Sequence, residues 1–236
     1  TNGMNLEKIY CIATAAIRDA ADGSQFVYQL EELFKIKIWI ISGEEEGVLA
    51  ASGVLMGWPE ASGIVCDIGG ASLELASLQS GFVHLSQSFK LGPLTLDDFQ
   101  NSGKTQACLI DENLSMIEKG FPKTVKDFFL VGGCWRALAR INMNLNEYPL
   151  KVLQGYRISV ESLSETLDFI LSSKNSELAK ITSSSMERLK LLPNASRVLQ
   201  ALIYRFQPRC MIFSGYGIRE GLFYKLFSSE IREMQP

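Results

Sequence analysis

The spacing of apolar residues changes from segment to segment along the chain, and each change marks an element. Ile9 to Ala13 is a short apolar run that reads as a buried strand, and the small residues Ala13 to Ala20 turn from it toward a helix. Phe26, Leu30, Leu33 and Phe34 recur at helical spacing, an amphipathic helix. Ile36 to Ile41 is β-branched and apolar, a second strand. The Ser42-Gly43-Glu44-Glu45-Glu46-Gly47 loop closes that strand and opens a helix from about Val48 to Met56. After Trp58-Pro59, three strands are expected at Gly63 to Asp67, Ser72 to Leu78 and Gly81 to Leu91, joined by short turns as an antiparallel meander.

Helices follow at about Leu94 to Phe99 and Asp111 to Lys119, with a polar loop, Gln100 to Gln106, between them. Phe128 to Val131 is a buried strand leading into a helix from Cys134 to Met143. Ser162 with Glu165 forms a capping box ahead of Leu167, Ile170 and Leu171. Val198, Leu199, Leu202, Ile203 and Phe206 are the stripe of a long core helix beginning after Pro193. Met211 to Phe213 is a last strand, and Ile218 to Phe227 the closing helix. Strands and helices in this rhythm indicate an α/β fold.

Composition narrows the function classes. With 236 residues, 47% of them hydrophobic, the chain can build a core without a disulfide or metal staple. Its net charge of −3 argues against a general nucleic-acid binder. No secretory signal is read at the polar start, and the longest small-and-apolar run, Val48 to Trp58, is too short to span a membrane. Five scattered cysteines (Cys11, Cys66, Cys108, Cys134, Cys210) without a Cys-x-x-Cys pair suggest buried free thiols and a reducing, cytoplasmic setting. The single histidine, His84, sits in a strand pattern and reads as structural, which excludes His-based metal clusters and paired-His phosphatase chemistry.

The candidate chemistry lies in a device used three times. A buried strand ends in a small-residue turn at Asp67 to Ser72, at Val131-Gly132-Gly133-Cys134 and at Ser214-Gly215-Tyr216-Gly217. Glycine there permits positive φ and close approach of a ligand, and N–H groups of such turns bind phosphate oxygens. Arg136 and Arg219 follow the second and third turns closely. Neither a Walker-type Gly-x-x-x-x-Gly-Lys-Ser/Thr nor a Gly-x-Gly-x-x-Gly is present, which disfavours a P-loop ATPase or a dinucleotide enzyme.

Five motifs stand in order: Ala13 to Ala20, Ser42 to Glu46, Asp67 to Glu74, Gly132 to Ala139 and Ser214 to Gly221. Together they resemble the exopolyphosphatase/guanosine pentaphosphate phosphohydrolase (Ppx/GppA) family over nearly the whole chain. The resemblance implies an actin-like (ribonuclease H-like) ATPase-superfamily fold, a mixed sheet flanked by helices. It places residues 1–57 in the C-terminal part of a first actin-like domain and residues 58–236 in the second. Three departures from the family pattern are visible. The first phosphate loop, Asp-x-Gly-Ser-Asn-Ser, is absent, so the N-terminal domain is expected to be incomplete. Ala71 stands for a third glycine, and Cys134 for a threonine.

The resemblance makes Glu46 the base for the attacking water and Arg18 a phosphate contact. It makes Gly69, Gly70, Ala71, Ser72, Gly132, Gly133, Gly215 and Gly217 the phosphate-binding backbone. Asp67 and Glu74 bracket the first turn and are candidates for Mg²⁺, directly or through water. Glu44 and Glu45 are better suited to stabilising a helix N-terminus. The implied reaction is release of terminal orthophosphate from inorganic polyphosphate or guanosine pentaphosphate, with no nucleic-acid or membrane partner and a homodimer as a family-level expectation. Two other readings stay open: an actin-like ATPase or small-molecule kinase, and a polyphosphate- or nucleotide-sensing module with degraded catalysis.

Overall fold

A computed structural model describes residues 9–98 and 105–233. The polar start at residues 1–3 and most of the loop expected between Gln100 and Gln106 lie outside the described residues. Two sheets are present among the described residues. β1 (Cys11–Ala13) and β2 (Ile38–Ile40) pair in parallel as a two-stranded sheet, linked by α1 (Ala15–Arg18) and α2 (Gly23–Phe34). The apolar stripe expected on α2 exists, but it faces outward: Phe26, Leu33 and Phe34 are exposed, whereas Gly23 and Val27 are buried.

The second sheet has six strands in the order β5-β4-β3-β6-β8-β7, with β3 at Gly63–Ile68, β4 at Leu73–Gln79, β5 at Phe82–Phe89, β6 at Asp127–Val131, β7 at Tyr156–Ile158 and β8 at Cys210–Phe213. β3, β4 and β5 form the expected antiparallel meander. β6 lies parallel to β3 and β8 parallel to β6, while β7 is antiparallel to β8. Alternate residues of each strand face opposite layers. Ile64, Cys66, Leu75, Phe128 and Leu130 pack with Trp135, Leu138, Leu199 and Phe206 in the larger core. Val65, Ala76, Phe129, Val131 and Ile212 meet Ala50, Ala51, Val54 and Leu55 in the smaller one.

The smaller core is roofed by α3 (Gly43–Gly57) and α10 (Ile218–Glu233), which pack against one another closely. Small residues make this possible. A Cβ on Gly53 would overlap the Gly217 carbonyl, and one on Gly221 the Leu49 carbonyl. α3 starts at Gly43, five residues before the apolar run that announces it. Ser42 caps it: the Ser42 hydroxyl accepts the Glu45 N–H at 3.1 Å and the Glu45 carboxylate accepts the Ser42 N–H at 2.7 Å. The glutamate run is therefore the first helical turn rather than a loop.

The larger core carries α4 (Pro93–Asp98), α5 (Gln106–Ser115), α6 (Gly133–Leu145), α7 (Val160–Ser172), α8 (Asn175–Ile181) and α9 (Met186–Phe206). α5 starts earlier than the expected Asp111, because Thr105 accepts the Cys108 N–H as its cap. α7 is capped by Ser159, not by Ser162, which lies inside the helix and whose oxygens meet the Asn142 amide. α9 runs through Pro193 instead of starting after it. An interior proline costs about 3 kcal/mol, and each fully buried leucine returns about 1.5–3 kcal/mol. Leu189 and Leu192, both fully buried ahead of the proline, keep the first two turns in the helix. β7 and α8 carry no signal the apolar pattern singled out. Of the five cysteines, all free, only Cys66 and Cys134 are buried, and Cys108 is exposed.

Candidate active site

The C-terminal ends of β3 and β6 and the N-terminus of α10 open onto one cleft of about 250 Å³. Glu46, Asp67, Gly69, Gly132, Gly133 and Gly217 line it, together with Arg136, Arg219 and Glu220. Topology explains the convergence, since the ends of adjacent parallel strands and the helices that follow them meet at one edge of the sheet.

Three carboxyls gather at this edge. Asp67 and Glu74 face each other in the register of β3 and β4, and Glu46 comes down on them from the first turn of α3. The close approach of α3 depends on glycine: a Cβ on Gly47 would strike the Ser86 hydroxyl, and one on Gly43 would strike Ser88. All three carboxyls are buried. Burial raises the Glu46 pKa above the ordinary carboxylate range, opposed by the Arg18 guanidinium, whose Nη1 donates to Glu46 Oε2 at 3.2 Å. Burial, and secondly the charge of Glu46, lifts Asp67 to about 7 against the pull of Arg136. The same two causes lift Glu74 to about 8. The Ser88 hydroxyl donates to Glu74 Oε1 at 2.9 Å, and Glu74 Oε2 has no partner.

Arg18 reaches the site from the two-stranded unit. Besides Glu46 it donates to the Ile41 carbonyl at 3.1 Å and pairs with Asp19 at 3.4 Å, so both a surface pair and a link to Glu46 are present.

The three turns differ in what they offer. Gly132 has φ +110°, and a Cβ there would sit 2.5 Å from Asp67 Oδ1, so this position needs glycine. It caps α6 without a side chain, leaving the first N–H groups of that helix directed at the cleft. Gly69, Gly70, Gly215 and Gly217 do not have positive φ, and neither does Ala71. Several of the N–H groups expected to hold phosphate are engaged internally: Gly69 donates to Ser72 O, Gly215 to Gln154 Oε1 at 2.6 Å and Gly217 to Glu220 Oε2 at 2.8 Å. Glu220 thus closes the third turn. Gly70, Ala71, Ser72, Gly215, Arg18 and Glu74 are near the cleft without lining it; the Ser72 side chain is buried. Cys134 is buried in the larger core, pushed up to about 11 by burial.

One cation was not singled out by sequence reasoning. Arg188, in the first turn of α9, lays its guanidinium over the second turn, with Cζ and Nε 3.0 Å from where a Cβ on Gly133 would stand. It is exposed. Only its place in the first turn of a helix facing Gly133 marks it, and the apolar pattern starts that helix after it.

Among the described residues no three His, Cys, Asp or Glu side chains form a metal-binding group, and no helix is long and apolar enough to cross a membrane. The family profile described as the Ppx/GppA phosphatase family matches residues 1–230. The chain is 26% identical over 230 residues to the guanosine-5'-triphosphate,3'-diphosphate pyrophosphatase of Aeromonas salmonicida, covering 94% of this chain and 46% of that protein. The chain spans about half the length of the curated relatives it matches. Its fold superposes on that of the Aquifex aeolicus PPX-GPPA enzyme with a TM-score of 0.76 at 22% identity, covering 94% of this chain and 76% of the other. An exopolyphosphatase from Cytophaga hutchinsonii gives 0.80 at 19% identity, with 92% and 74% covered. These likenesses establish the actin-like mixed α/β fold.

Proposed function

The chain belongs to the Ppx/GppA phosphatase family, and on that footing we propose that its cleft hydrolyses the terminal phosphoanhydride of inorganic polyphosphate or of guanosine pentaphosphate. The observation that carries this reading is the placement of Glu46 and Asp67 opposite the Gly132–Gly133 turn, with Arg136 on the same wall. The relatives' names supply the two substrates, which share the same terminal anhydride.

The roles follow from position. The terminal phosphoryl group is received by the free N–H groups of α6 and by Arg136 and Arg188, which neutralise its charge. Glu46 orients the attacking water and takes its proton as the new P–O bond forms and the anhydride P–O bond breaks, releasing orthophosphate. Ionised Glu46 is favoured by Arg18, which holds the carboxylate in place. The unpartnered Oε2 of Glu74 and the Asp67 carboxyl paired with it in register are acceptor oxygens that a bound cation would draw into the ionised form. Asp67 is at the cleft and would hold Mg²⁺, largely through water and substrate oxygens; Glu74, behind it, would act through Asp67 rather than as a direct ligand. Such an ion supplies charge neutralisation at the transferred group.

Because α3 packs on the six-stranded sheet, the two units divide at Ile41–Ser42 in this reading, not at residue 57. The free thiols accord with a cytoplasmic setting. A phosphate-release assay on both substrates with Mg²⁺ tests the proposal. Release abolished by Glu46→Gln supports it; binding of polyphosphate without release selects the sensing module instead, and ADP formation that needs an acceptor selects a kinase.

A further inference from the structure

α6 shows solvent a single line of its surface. It packs against α7, α8 and α9 as well as the sheet, and from Gly133 to Asn144 only Gly133, Arg136, Arg140 and Asn144 are not buried. At 3.6 residues per turn these four positions fall on one face, and at about 1.5 Å per residue the line is about 17 Å long. Gly133 and Arg136 also line the cleft, so the line begins inside it. Its charge has one sign. Arg188 lies over Gly133, and Arg136 Nη1 reaches the Gly215 carbonyl at 3.5 Å. Arg140 follows about 6 Å further on. Lys151 is fixed over Asn144, donating to Asn144 Oδ1 at 2.8 Å and to the Met143 carbonyl at 3.3 Å. The Asn144 amide in turn donates to the Ile181 carbonyl at 2.7 Å, which ties the far end of the line to α8. α6 contains no acidic residue. The nearest acids in sequence, Glu147 after its C-cap and Glu187 beside Arg188, pair with none of these four cations: among the described residues the ion pairs belong to Arg18, Lys35 and Lys37.

The dipole of α6 favours an anion at Gly133 and opposes one toward its C-terminal end. Lys151 settles the last carbonyls. Arg140, in the middle of the line and half-buried, makes no side-chain hydrogen bond or ion pair among the described residues, so its guanidinium is available to an anion lying beside it. We propose that this line carries a linear polyphosphate away from the cleft, with Arg140 as the residue that favours such a chain over a nucleotide. The inference rests on the phosphohydrolase reading and narrows its substrate. A linear polyphosphate bears charge on every unit, which matches cations repeated along a straight face. Guanosine pentaphosphate divides its charge between two short groups on either side of a neutral ribose, and leaves the middle of the line without an anion.

Calorimetry on the full chain, in chelator and at several salt concentrations, compares a long linear polyphosphate with tripolyphosphate and guanosine pentaphosphate. The long chain is expected to bind more tightly than tripolyphosphate and to lose affinity more steeply as salt rises, because each phosphate neutralised by a cation releases a counterion. Arg140→Gln is expected to weaken the long chain about three- to tenfold and to make its logarithmic salt slope shallower by about 0.7–0.9. Arg140→Lys, which keeps the charge, should keep the slope. The loss should fall on the long chain far more than on the other two ligands, whereas a purely structural Arg140 would affect all three alike and leave the slope alone. An unchanged long-chain slope in Arg140→Gln, or an equal loss for guanosine pentaphosphate, would overturn the assignment. Phosphate release with Mg²⁺, measured separately, keeps the two readings apart. Release from polyphosphate with no Arg140 effect on binding sinks the line and leaves hydrolysis standing; Arg140-dependent binding without release does the reverse.

Discussion

Replacing Glu74 by glutamine removes one charge from the buried carboxyl group without changing its shape. The folded protein holds this carboxyl at a pKa of about 8, against 4.5 for a free glutamate. A raised carboxyl pKa means that the folded state binds the proton more tightly than the unfolded one. Its contribution is fully present below about 4.5 and is lost as pH rises through about 8. At about 1.4 kcal/mol for each tenfold change in ionisation constant, the loss amounts to about 5 kcal/mol. That figure is an upper bound, because Asp67 and Glu46 readjust when their neighbour ionises. For a domain of this size it corresponds to a fall in melting midpoint of about 10–20 °C.

Thermal melts in chelator from pH 5 to pH 9 measure it. The parent midpoint is expected to fall steadily above pH 6, with Asp67 contributing in the same direction as it ionises near 7. The Glu74→Gln curve should be flatter and cross above the parent near pH 8. Parallel curves from pH 6 to pH 9 would refute a neutral Glu74 in the fold. Saturating Mg²⁺ is expected to recover part of the parent's loss above pH 7, since a cation binding only the folded state stabilises it.

Gly132→Ala places a methyl against Asp67 in a backbone region that only glycine occupies readily, and should cost about 1–3 kcal/mol in urea unfolding while lowering phosphate release. Gly221→Ala, which drives a Cβ into the Leu49 carbonyl, should destabilise the chain through the α3–α10 contact without altering the pH dependence of any residual turnover. Arg18→Ala should move the acidic limb of the pH–rate profile upward, because Glu46 keeps its burial and loses its opposing cation. Arg188→Ala should raise KM for either substrate more than it lowers kcat, if its guanidinium binds phosphate in ground and transition states alike.

The sheet strands other than β7 and the glycine turns were legible because strand periodicity and small-residue punctuation are local signals. Helix starts were less so. The Ser42 cap and the Thr105 cap lie outside the apolar runs that announce their helices, and Pro193 is tolerated only because residues distant in sequence bury the turns before it. Within the cleft, Glu46 and Asp67 were visible from sequence, along with Gly132. The burial of Glu74 behind Asp67 is tertiary, and so is the capture of the Gly215 N–H by Gln154, 61 residues away; the Gly217 N–H is taken by Glu220, three residues on. Arg188 is 55 residues beyond Gly133, and its role is purely tertiary.

The bond between Arg18 and Glu46 joins the two-stranded unit to a helix rooted in the large sheet. Widening the angle between the units by one side-chain length would part them. A buried carboxyl deprived of its cation takes up a proton, and a protonated base cannot accept another from water. In the proposed reaction, the contact between the two units would therefore set whether Glu46 can serve as the base.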